Sequence, residues 1–147
     1  MSTLNRAIAI AARAHEGQFD KAGAPYILHP LRLMLRQSTP EGMMAAVLHD
    51  VMEDTGVSLA NLRAEGFSPV VLAAVEALTR QADESYEAFI RRLAPNPVAR
   101  QVKLADLEDN MNLQRLSQMT DRDLKRLRRY HLAWRWLSGL DAGREPT

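Results

Sequence analysis

The stretch from Leu48 to Thr55, Leu-His-Asp-Val-Met-Glu-Asp-Thr, places one imidazole and three carboxylates beside apolar side chains. His49 and Asp50 are adjacent, and Glu53 and Asp54 lie one helical turn beyond them. Such groups at the edge of a core need hydrogen bonds, counter-charges or a metal as partners. Taken alone, the pair fits a polar helix end, with the imidazole bonded to a carbonyl and the acids solvated, because short motifs often match by chance.

Two distant residues favour a metal site instead. His29 stands just before a proline, and Asp106 ends the run Val-Lys-Leu-Ala-Asp. Together with His49 and Asp50 they supply two imidazoles and two carboxylates, which can converge on one divalent ion. The chain has no cysteine, so thiolate ligands are excluded. These nitrogen and oxygen ligands point to Mg²⁺, Mn²⁺, Fe or Co, with zinc less distinctive, and suit Mn²⁺ or Fe²⁺ better than Ca²⁺.

An ion held by four ligands keeps open positions for water and a substrate oxygen. It can then polarise a phosphoryl group and lower the pKa of its bound water. Glu53 and Asp54 could orient that water or accept its proton if they reach the same cavity. We find neither a glycine-rich phosphate loop nor a nucleophile elbow. The residues therefore favour metal-assisted hydrolysis, against the alternative that the acidic pair is a solvated turn.

Length and composition indicate one globular domain. A chain of 147 residues can bury a substantial core. We expect a single domain over residues 1–147, with a core over about 5–138 and a polar tail over 139–147. The start does not resemble a signal peptide, and no apolar run approaches the ~20 residues that span a bilayer. We therefore expect a soluble, cytoplasmic protein without a membrane partner.

Charge is unevenly distributed along the chain. The net charge of +1 argues against a dedicated nucleic-acid binder. Residues 121–135 nevertheless contain six lysines and arginines and only two aspartates. This segment is either an anion-facing surface or the solvated face of an amphipathic helix.

The apolar residues recur at helical spacing, and no segment alternates with period two. Cap residues before proline at positions 39–40, 68–69 and 96–97 mark helix starts. We predict an all-α bundle with helices over about 5–15, 29–37, 40–50, 58–65, 69–79, 85–93, 97–113 and 121–137. On the seventh, Lys103, Asp106 and Asn110 share one face. His15 is expected to bond a carbonyl at a helix end, and His131 to be a core residue beside Trp134.

Several motifs resemble a known family. His29, His49-Asp50 and Asp106 match the H…HD…D pattern of HD-domain metal-dependent phosphohydrolases. Their surroundings are similar to the hydrolase domain of RelA/SpoT proteins, over roughly Ile8 to Leu116, and most similar to the small stand-alone alarmone hydrolases. The matching segments are Ala14–Gln18, Gly23–Pro30, His49–Thr55, Leu78–Arg80, Asp83–Tyr86 and Val102–Leu107.

The resemblance implies an HD-domain helical bundle that hydrolyses guanosine 3′,5′-bis(diphosphate) at the 3′-pyrophosphate with Mn²⁺ or another divalent transition metal. The products are GDP, or GTP from the pentaphosphate, and pyrophosphate. The partner implied is a small-molecule nucleotide, without nucleic acid, and the oligomeric state stays open. Transferred by position, the roles are metal ligation by His29, His49, Asp50 and Asp106, water activation by Glu53 and Asp54, and nucleotide contacts by Lys21 and Asn110.

One loop departs from the family. Where the family has Arg-Lys-Ser-Gly, this chain has Asp20-Lys21-Ala22-Gly23. An acid that faces a polyphosphate repels it, unless Asp20 turns to solvent. Two alternatives therefore stay open: a broader HD phosphohydrolase acting on other nucleotides or NADPH, and a catalytically silent nucleotide-binding HD module. The intact pair Glu53 and Asp54 speaks against the silent module.

Overall fold

The computed structural model describes residues 1–140 as a bundle of α-helices. The helices are α1 (Leu4–Ala14), α2 (Leu28–Leu35), α3 (Pro40–Leu48), α4 (Val51–Asp54), α5 (Leu59–Ala64), α6 (Pro69–Ala77), α7 (Tyr86–Leu93), α8 (Pro97–Asn110) and α9 (Asp121–Leu137). Within this part of the chain no strand forms, and the only β-type pairing is an isolated bridge between Phe19 and Pro25. The predicted all-α fold is confirmed. Most of the predicted polar tail lies outside the described residues.

The helix starts follow the predicted cap chemistry. The side chains of Thr39, Ser68 and Asn96 each accept a hydrogen bond from the backbone N–H three residues later. Proline occupies the next position in all three cases. Its missing N–H costs nothing there, because the first N–H groups of a helix have no intrahelical acceptor. Ser58 and Thr120 form full capping boxes at the starts of α5 and α9.

Two helix ends differ from the expectation. The third helix stops at Leu48 with His49 as its C-cap, and a separate single turn, α4, carries the acidic pair. The helix expected over 97–113 ends at Asn110 and is followed by a 3₁₀ turn, Leu113–Arg115. The side chain of Asn112 accepts a hydrogen bond from the backbone N–H of Gln114. Asparagine competes in this way with helical hydrogen bonding and so ends the helix early.

The centre of the bundle is α3, which packs against α1, α2, α6 and α8. Its last four residues, Ala45 to Leu48, are all fully buried. A helix that is apolar on every side is stable only in the interior. Its C-terminal end therefore brings His49 into the core, where it meets α2 and the middle of α8.

The apolar residues of α9 do not all lie on its inner face. Ala133 and Leu137 are buried, whereas Leu124 is 53% exposed. His131 is exposed and stacks on Trp134 with the ring centroids 6.4 Å apart. The expectation of a core histidine is therefore wrong, because the helix is rotated so that His131 faces away from the bundle. Among the described residues no helix is long and apolar enough to cross a membrane.

Candidate metal centre and nucleotide pocket

Three predicted ligands converge in the core. His29 lies in the first turn of α2, His49 caps α3, and Asp106 lies on α8. Each offers one ligand atom, and these atoms all lie within 4.8 Å of one another. All three residues are buried. The arrangement is of the kind that holds a divalent metal ion.

The hydrogen bonds of both imidazoles direct their free nitrogens at the same carboxylate. Nδ1 of His29 lies 2.5 Å from Oδ2 of Asp109, and Nδ1 of His49 lies 2.7 Å from the carbonyl oxygen of Ala46. These oxygens only accept, so Nδ1 is the donor in both rings, and a neutral ring then carries a lone pair on Nε2. The two Nε2 atoms lie 2.9 Å (His29) and 3.5 Å (His49) from Oδ1 of Asp106.

Lone pairs that face a carboxylate need a cation between them. Nε2 of His49 is buried and has no hydrogen-bond partner among the described residues. Burial lowers the pKa of His49, but the carboxylates of Asp50 and Asp106 outweigh this and hold it well above its ordinary value. Burial also lowers the pKa of His29, but the hydrogen bonds with Asp106 and Asp109 outweigh this and raise it. A proton or a metal ion satisfies this donor set, and so the residues fit a divalent metal.

The fourth predicted ligand, Asp50, lies at the edge of this group. Its Oδ2 is 3.0 Å from Nε2 of His49 and accepts a hydrogen bond from the Tyr26 hydroxyl. Burial works to raise the pKa of Asp50, but the positive charge of His49 overcomes it and lowers the pKa to about 2. Asp50 is therefore an anion that faces the other three ligands.

Several residues hydrogen-bond to the ligands and hold them in place, a role that the sequence analysis did not assign to them. The ammonium of Lys103 lies 2.7 Å from Oδ2 of Asp106 and is buried with it. The Asn110 amide donates to Oδ1 of the same carboxylate at 3.1 Å. On the other side, the carboxylate of Asp109 is held by Arg32 at 2.9 Å and Arg115 at 3.0 Å. For Lys103, Asp109 and Asn110 the only sequence signal was their helical spacing around Asp106. Arg32 and Arg115 had no such signal.

The acidic pair lies on α4, directly after Asp50. Glu53 accepts a hydrogen bond from the backbone N–H of Arg80, which fixes its side chain. Both residues are largely exposed, yet partial desolvation of the carboxylates raises the pKa of Glu53 and of Asp54. The negative charge of Asp50 raises both further. Two carboxylates with raised pKa values thus stand beside the ligand group.

His15 connects to this turn through Gln18. Its Nδ1 lies 2.8 Å from Oε1 of Gln18, whose amide nitrogen donates to the backbone oxygen of Asp54 at 3.2 Å. His15 does therefore bond a carbonyl oxygen, as expected, but one of a side chain. Its ring is buried and lies 5.0 Å from that of Tyr26. The end of α1 is thereby tied to the turn that carries the acidic pair.

A pocket of about 280 Å³ opens beside the ligands. Tyr26 and Asn110 line it, and both also contact ligands, so the pocket adjoins the metal centre. Lys21, predicted to contact a nucleotide, lies in the same wall. The remaining lining residues are Phe19, Asp20, Arg115, Leu116, Asp123, Arg126, Leu127 and Tyr130.

The unusual loop residue Asp20 is turned into its own loop. Oδ1 accepts hydrogen bonds from the backbone N–H groups of Ala22 at 3.0 Å and Ala24 at 2.9 Å. Oδ2 lies 3.7 Å from the guanidinium of Arg115. Asp20 therefore neither turns to solvent nor faces the pocket as an unpaired charge. Lys21 pairs with Asp123 of α9 at 2.9 Å.

Comparison with curated proteins finds relatives named as GTP pyrophosphokinases and as guanosine-3′,5′-bis(diphosphate) 3′-pyrophosphohydrolases. The chain is 35% identical over 126 residues to the GTP pyrophosphokinase of Streptomyces coelicolor, an alignment that covers 76% of this chain and 15% of that protein. It is 32% identical over 120 residues to the guanosine-3′,5′-bis(diphosphate) 3′-pyrophosphohydrolase of Aquifex aeolicus. That alignment covers 74% of this chain and 17% of that protein. The protein of that name in Haemophilus influenzae is 36% identical over 117 residues, and the alignment covers 69% of this chain and 17% of that protein. The chain thus spans less than a fifth of these relatives.

No family model matches the chain. Among solved structures, a metazoan SpoT ortholog described as hydrolysing ppGpp superposes with a TM-score of 0.73 at 23% sequence identity. The match covers 91% of this chain and 84% of that one, and it establishes the shared fold. Sequence relatives and fold together assign the chain to the RelA/SpoT family, as an HD-type domain of the hydrolase kind.

Proposed function

We propose that this bundle, acting as one HD domain over about residues 5–138, hydrolyses guanosine 3′,5′-bis(diphosphate) at its 3′-pyrophosphate. The observation that carries the proposal is the pair of imidazole nitrogens that face the Asp106 carboxylate, with ligand atoms within 4.8 Å. The substrate is suggested by relatives that are named 3′-pyrophosphohydrolases of this nucleotide. The whole reaction adds water across the bond between the ribose 3′ oxygen and phosphorus, and gives GDP and pyrophosphate.

The ligands would be His29, His49, Asp50 and Asp106. Two imidazoles, two carboxylates and no thiolate favour Mn²⁺ among the divalent metals. When bound, such an ion makes a coordinated water acidic and polarises a phosphoryl oxygen. The protein's own contribution is to orient both Nε2 atoms toward the Asp106 carboxylate, through the hydrogen bonds of the two Nδ1 atoms.

Glu53 and Asp54 would accept the proton of the attacking water. A general base works best when its pKa is near the working pH, and both carboxylates have raised pKa values. The backbone N–H of Arg80 restrains the Glu53 carboxylate, and Gln18 restrains the backbone at Asp54. These contacts reduce the freedom of the acidic pair beside the ligands.

The pocket would hold the nucleoside part of the substrate. Phe19, which is 65% exposed, and Tyr130 supply aromatic surface at its wall. Bases stack on such side chains. Lys21 and Asn110 would supply polar contacts to the nucleotide from the pocket wall, and Asn110 also bonds the ligand Asp106.

The second candidate is a broader phosphohydrolase acting on other nucleotides or NADPH, because position 20 carries an acid where the family has an arginine. One assay separates the two: purified protein with Mn²⁺ is tested against guanosine 3′,5′-bis(diphosphate), guanosine 3′-phosphate and NADPH. We expect pyrophosphate release from the first at the highest kcat/KM. A higher kcat/KM for orthophosphate release from another compound would establish the broader enzyme. No turnover of any compound, despite nucleotide binding, would establish a silent module.

A further inference from the structure

One face of α9 carries a row of four cations. Arg122, Lys125, Arg126 and Arg129 lie within an arc of about 100° on a helix of 3.6 residues per turn. We call them the α9 cation row. Together they line an open depression of about 300 Å³ on the protein surface. No acidic residue contributes to that lining.

Few carboxylates lie close enough to the α9 cation row to neutralise its positive charge. In the part of the chain that the structure describes, neither Arg122, Lys125 nor Arg126 has a carboxylate at salt-bridge distance. Arg129 instead lies over the ring of Tyr86, 4.6 Å from its centroid. Like charges three and four residues apart destabilise a helix by about 0.2–0.5 kcal/mol per pair. An anion in the depression would remove this repulsion.

The cation row continues the nucleotide pocket. Arg126 lines both the 280 Å³ pocket and the depression of the row. The other two cations of the pocket already have carboxylate partners, since Lys21 pairs with Asp123 and Arg115 with Asp109. Uncompensated positive charge therefore begins at Arg126 in the pocket wall and continues along α9 through the other members of the row.

We propose that the α9 cation row binds the distal phosphate arm of the nucleotide whose other phosphate arm lies at the metal centre. This inference rests on the proposed function and deepens it, because it assigns residues that select nucleotides phosphorylated at both ends. From Arg122 to Arg129 the row extends about 10 Å along the helix. Several cations along a groove suit a 5′-diphosphate, which offers several charged oxygens.

The kinetic test compares two substrates that differ only in the distal arm. These are guanosine 3′,5′-bis(diphosphate) and guanosine 3′-diphosphate with a free 5′-hydroxyl. In the double variant Arg122→Gln/Lys125→Gln, we expect the ratio of their kcat/KM values to fall by at least about tenfold, through KM for the doubly phosphorylated substrate. Glutamine retains helix propensity, and circular dichroism checks that α9 is intact.

Arg128→Gln is the matched control. Arg128 is a basic, exposed residue of the same helix, but it lines neither the pocket nor the depression. The substitution removes one charge from α9 at a position about 110° from the centre of the row. We expect the substrate ratio to stay within twofold of the wild-type value. An equal fall in this control, or an unchanged ratio in the double variant, would overturn the inference in favour of a merely solvated helix face.

A binding measurement separates this inference from the proposed reaction. GDP carries the distal arm and lacks the 3′ group, and guanosine lacks both. Calorimetric titration of the wild type should show GDP binding at least about tenfold tighter than guanosine, and the double variant should lose that difference. Absence of hydrolysis with this pattern intact would reject the reaction alone. Equal affinities for GDP and guanosine in the wild type would reject the cation row.

Discussion

Nδ1 of His29 lies 2.5 Å from Oδ2 of Asp109, a residue one helical turn beyond Asp106. The bond fixes the tautomer of His29 and directs its Nε2 at the ligand group. The carboxylate is in turn held by Arg32 and Arg115. Burial works to raise its pKa, but the hydrogen bonds with His29 and Arg32 and the charge of Arg115 outweigh this and leave the pKa well below the ordinary value. Asp109 is thus a permanently charged partner of a metal-binding imidazole. Such partners raise the basicity of the ligand.

This relationship predicts the effect of Asp109→Asn. The amide keeps the size of the side chain but loses the charge, so His29 becomes a weaker ligand. Loss of such a partner typically costs about 10–100-fold in metal affinity, and we expect a fall in that range. Competition with a calibrated chelator measures it. Asp83→Asn, at an exposed position, is the control, and equal affinities in the two variants would contradict the prediction.

The ligand set predicts metal content. Wild-type protein should contain about one divalent ion per chain after loading with Mn²⁺. His49→Ala removes one ligand and leaves the Asp106 carboxylate with His29 as its one remaining imidazole neighbour, so we expect substoichiometric metal after dialysis. Elemental analysis of both proteins decides. Equal metal content would show that His49 is only a helix cap.

The acidic pair predicts a loss of turnover without a loss of metal. Glu53→Gln keeps the hydrogen bond that the Arg80 backbone donates, but it cannot accept a proton. General-base catalysis contributes about 10²–10⁴-fold, and kcat should fall by a factor in that range. Asp54→Asn should fall similarly or somewhat less. Steady-state kinetics at verified metal loading measures this, and unchanged kcat in both variants would make the pair a solvated turn.

Local chemistry made much of the fold and part of the site predictable. The Thr39, Ser68 and Asn96 caps act within three residues, so their effect can be read from adjacent sequence. His29, His49 and Asp106 were recognisable as one set because their residue types and order form a motif. The geometry then brings them within 4.8 Å.

Long-range partners were not predictable in this way. Asp109 bonds a histidine 80 residues away, and nothing in its neighbourhood on the sequence indicates this. Asp20 shows a second limit, because its charge suggested repulsion of a substrate. The structure shows instead that the side chain accepts two backbone hydrogen bonds and lies near Arg115. For His131, the sequence predicted a core position, but helical periodicity does not determine how α9 is rotated about its axis.

The ion pair between Glu84 and Arg92 predicts a pH-dependent contribution to stability. Arg92 donates at 2.6 and 2.9 Å to the two carboxylate oxygens and also to the backbone oxygen of Thr79. The hydrogen bonds from Arg92 hold the pKa of Glu84 below its ordinary value. The stabilisation is therefore complete above the unfolded-state pKa, about 4.3, and is lost as the pH falls through the lower folded-state pKa.

We expect Glu84→Gln to reduce the free energy of unfolding at pH 7 by about 1.5–3 kcal/mol, the range for hydrogen bonds to charged groups. The difference from the wild type should shrink as the pH drops below about 4. Urea denaturation at pH 7 and at pH 3.5 measures both. Glu87→Gln, at an exposed position of α7, serves as control, and a difference for Glu84→Gln that is the same at both pH values would contradict the ion-pair account.

Asp20 predicts an outcome opposite to that expected from charge alone. If its carboxylate repelled the substrate, Asp20→Arg would improve kcat/KM for guanosine 3′,5′-bis(diphosphate). The structure instead gives the carboxylate three partners, namely the N–H groups of Ala22 and Ala24 and the guanidinium of Arg115. Arginine removes both backbone acceptors and places a second cation beside Arg115. The loop that carries Lys21 should therefore lose its shape.

We accordingly expect Asp20→Arg to lower kcat/KM several-fold, and Lys21→Ala to raise KM because it removes a cation from the pocket wall. Asp20→Asn separates charge from geometry, since its amide oxygen can still accept from Ala22 and Ala24. This variant should keep kcat/KM within about threefold of the wild-type value. Loop order can be followed independently by hydrogen exchange at the Ala22 and Ala24 amides, which should accelerate in the arginine variant only. A tenfold or larger gain in kcat/KM for Asp20→Arg would show that repulsion of the substrate by the carboxylate dominates. The charge at position 20 would then determine which substrate the protein prefers.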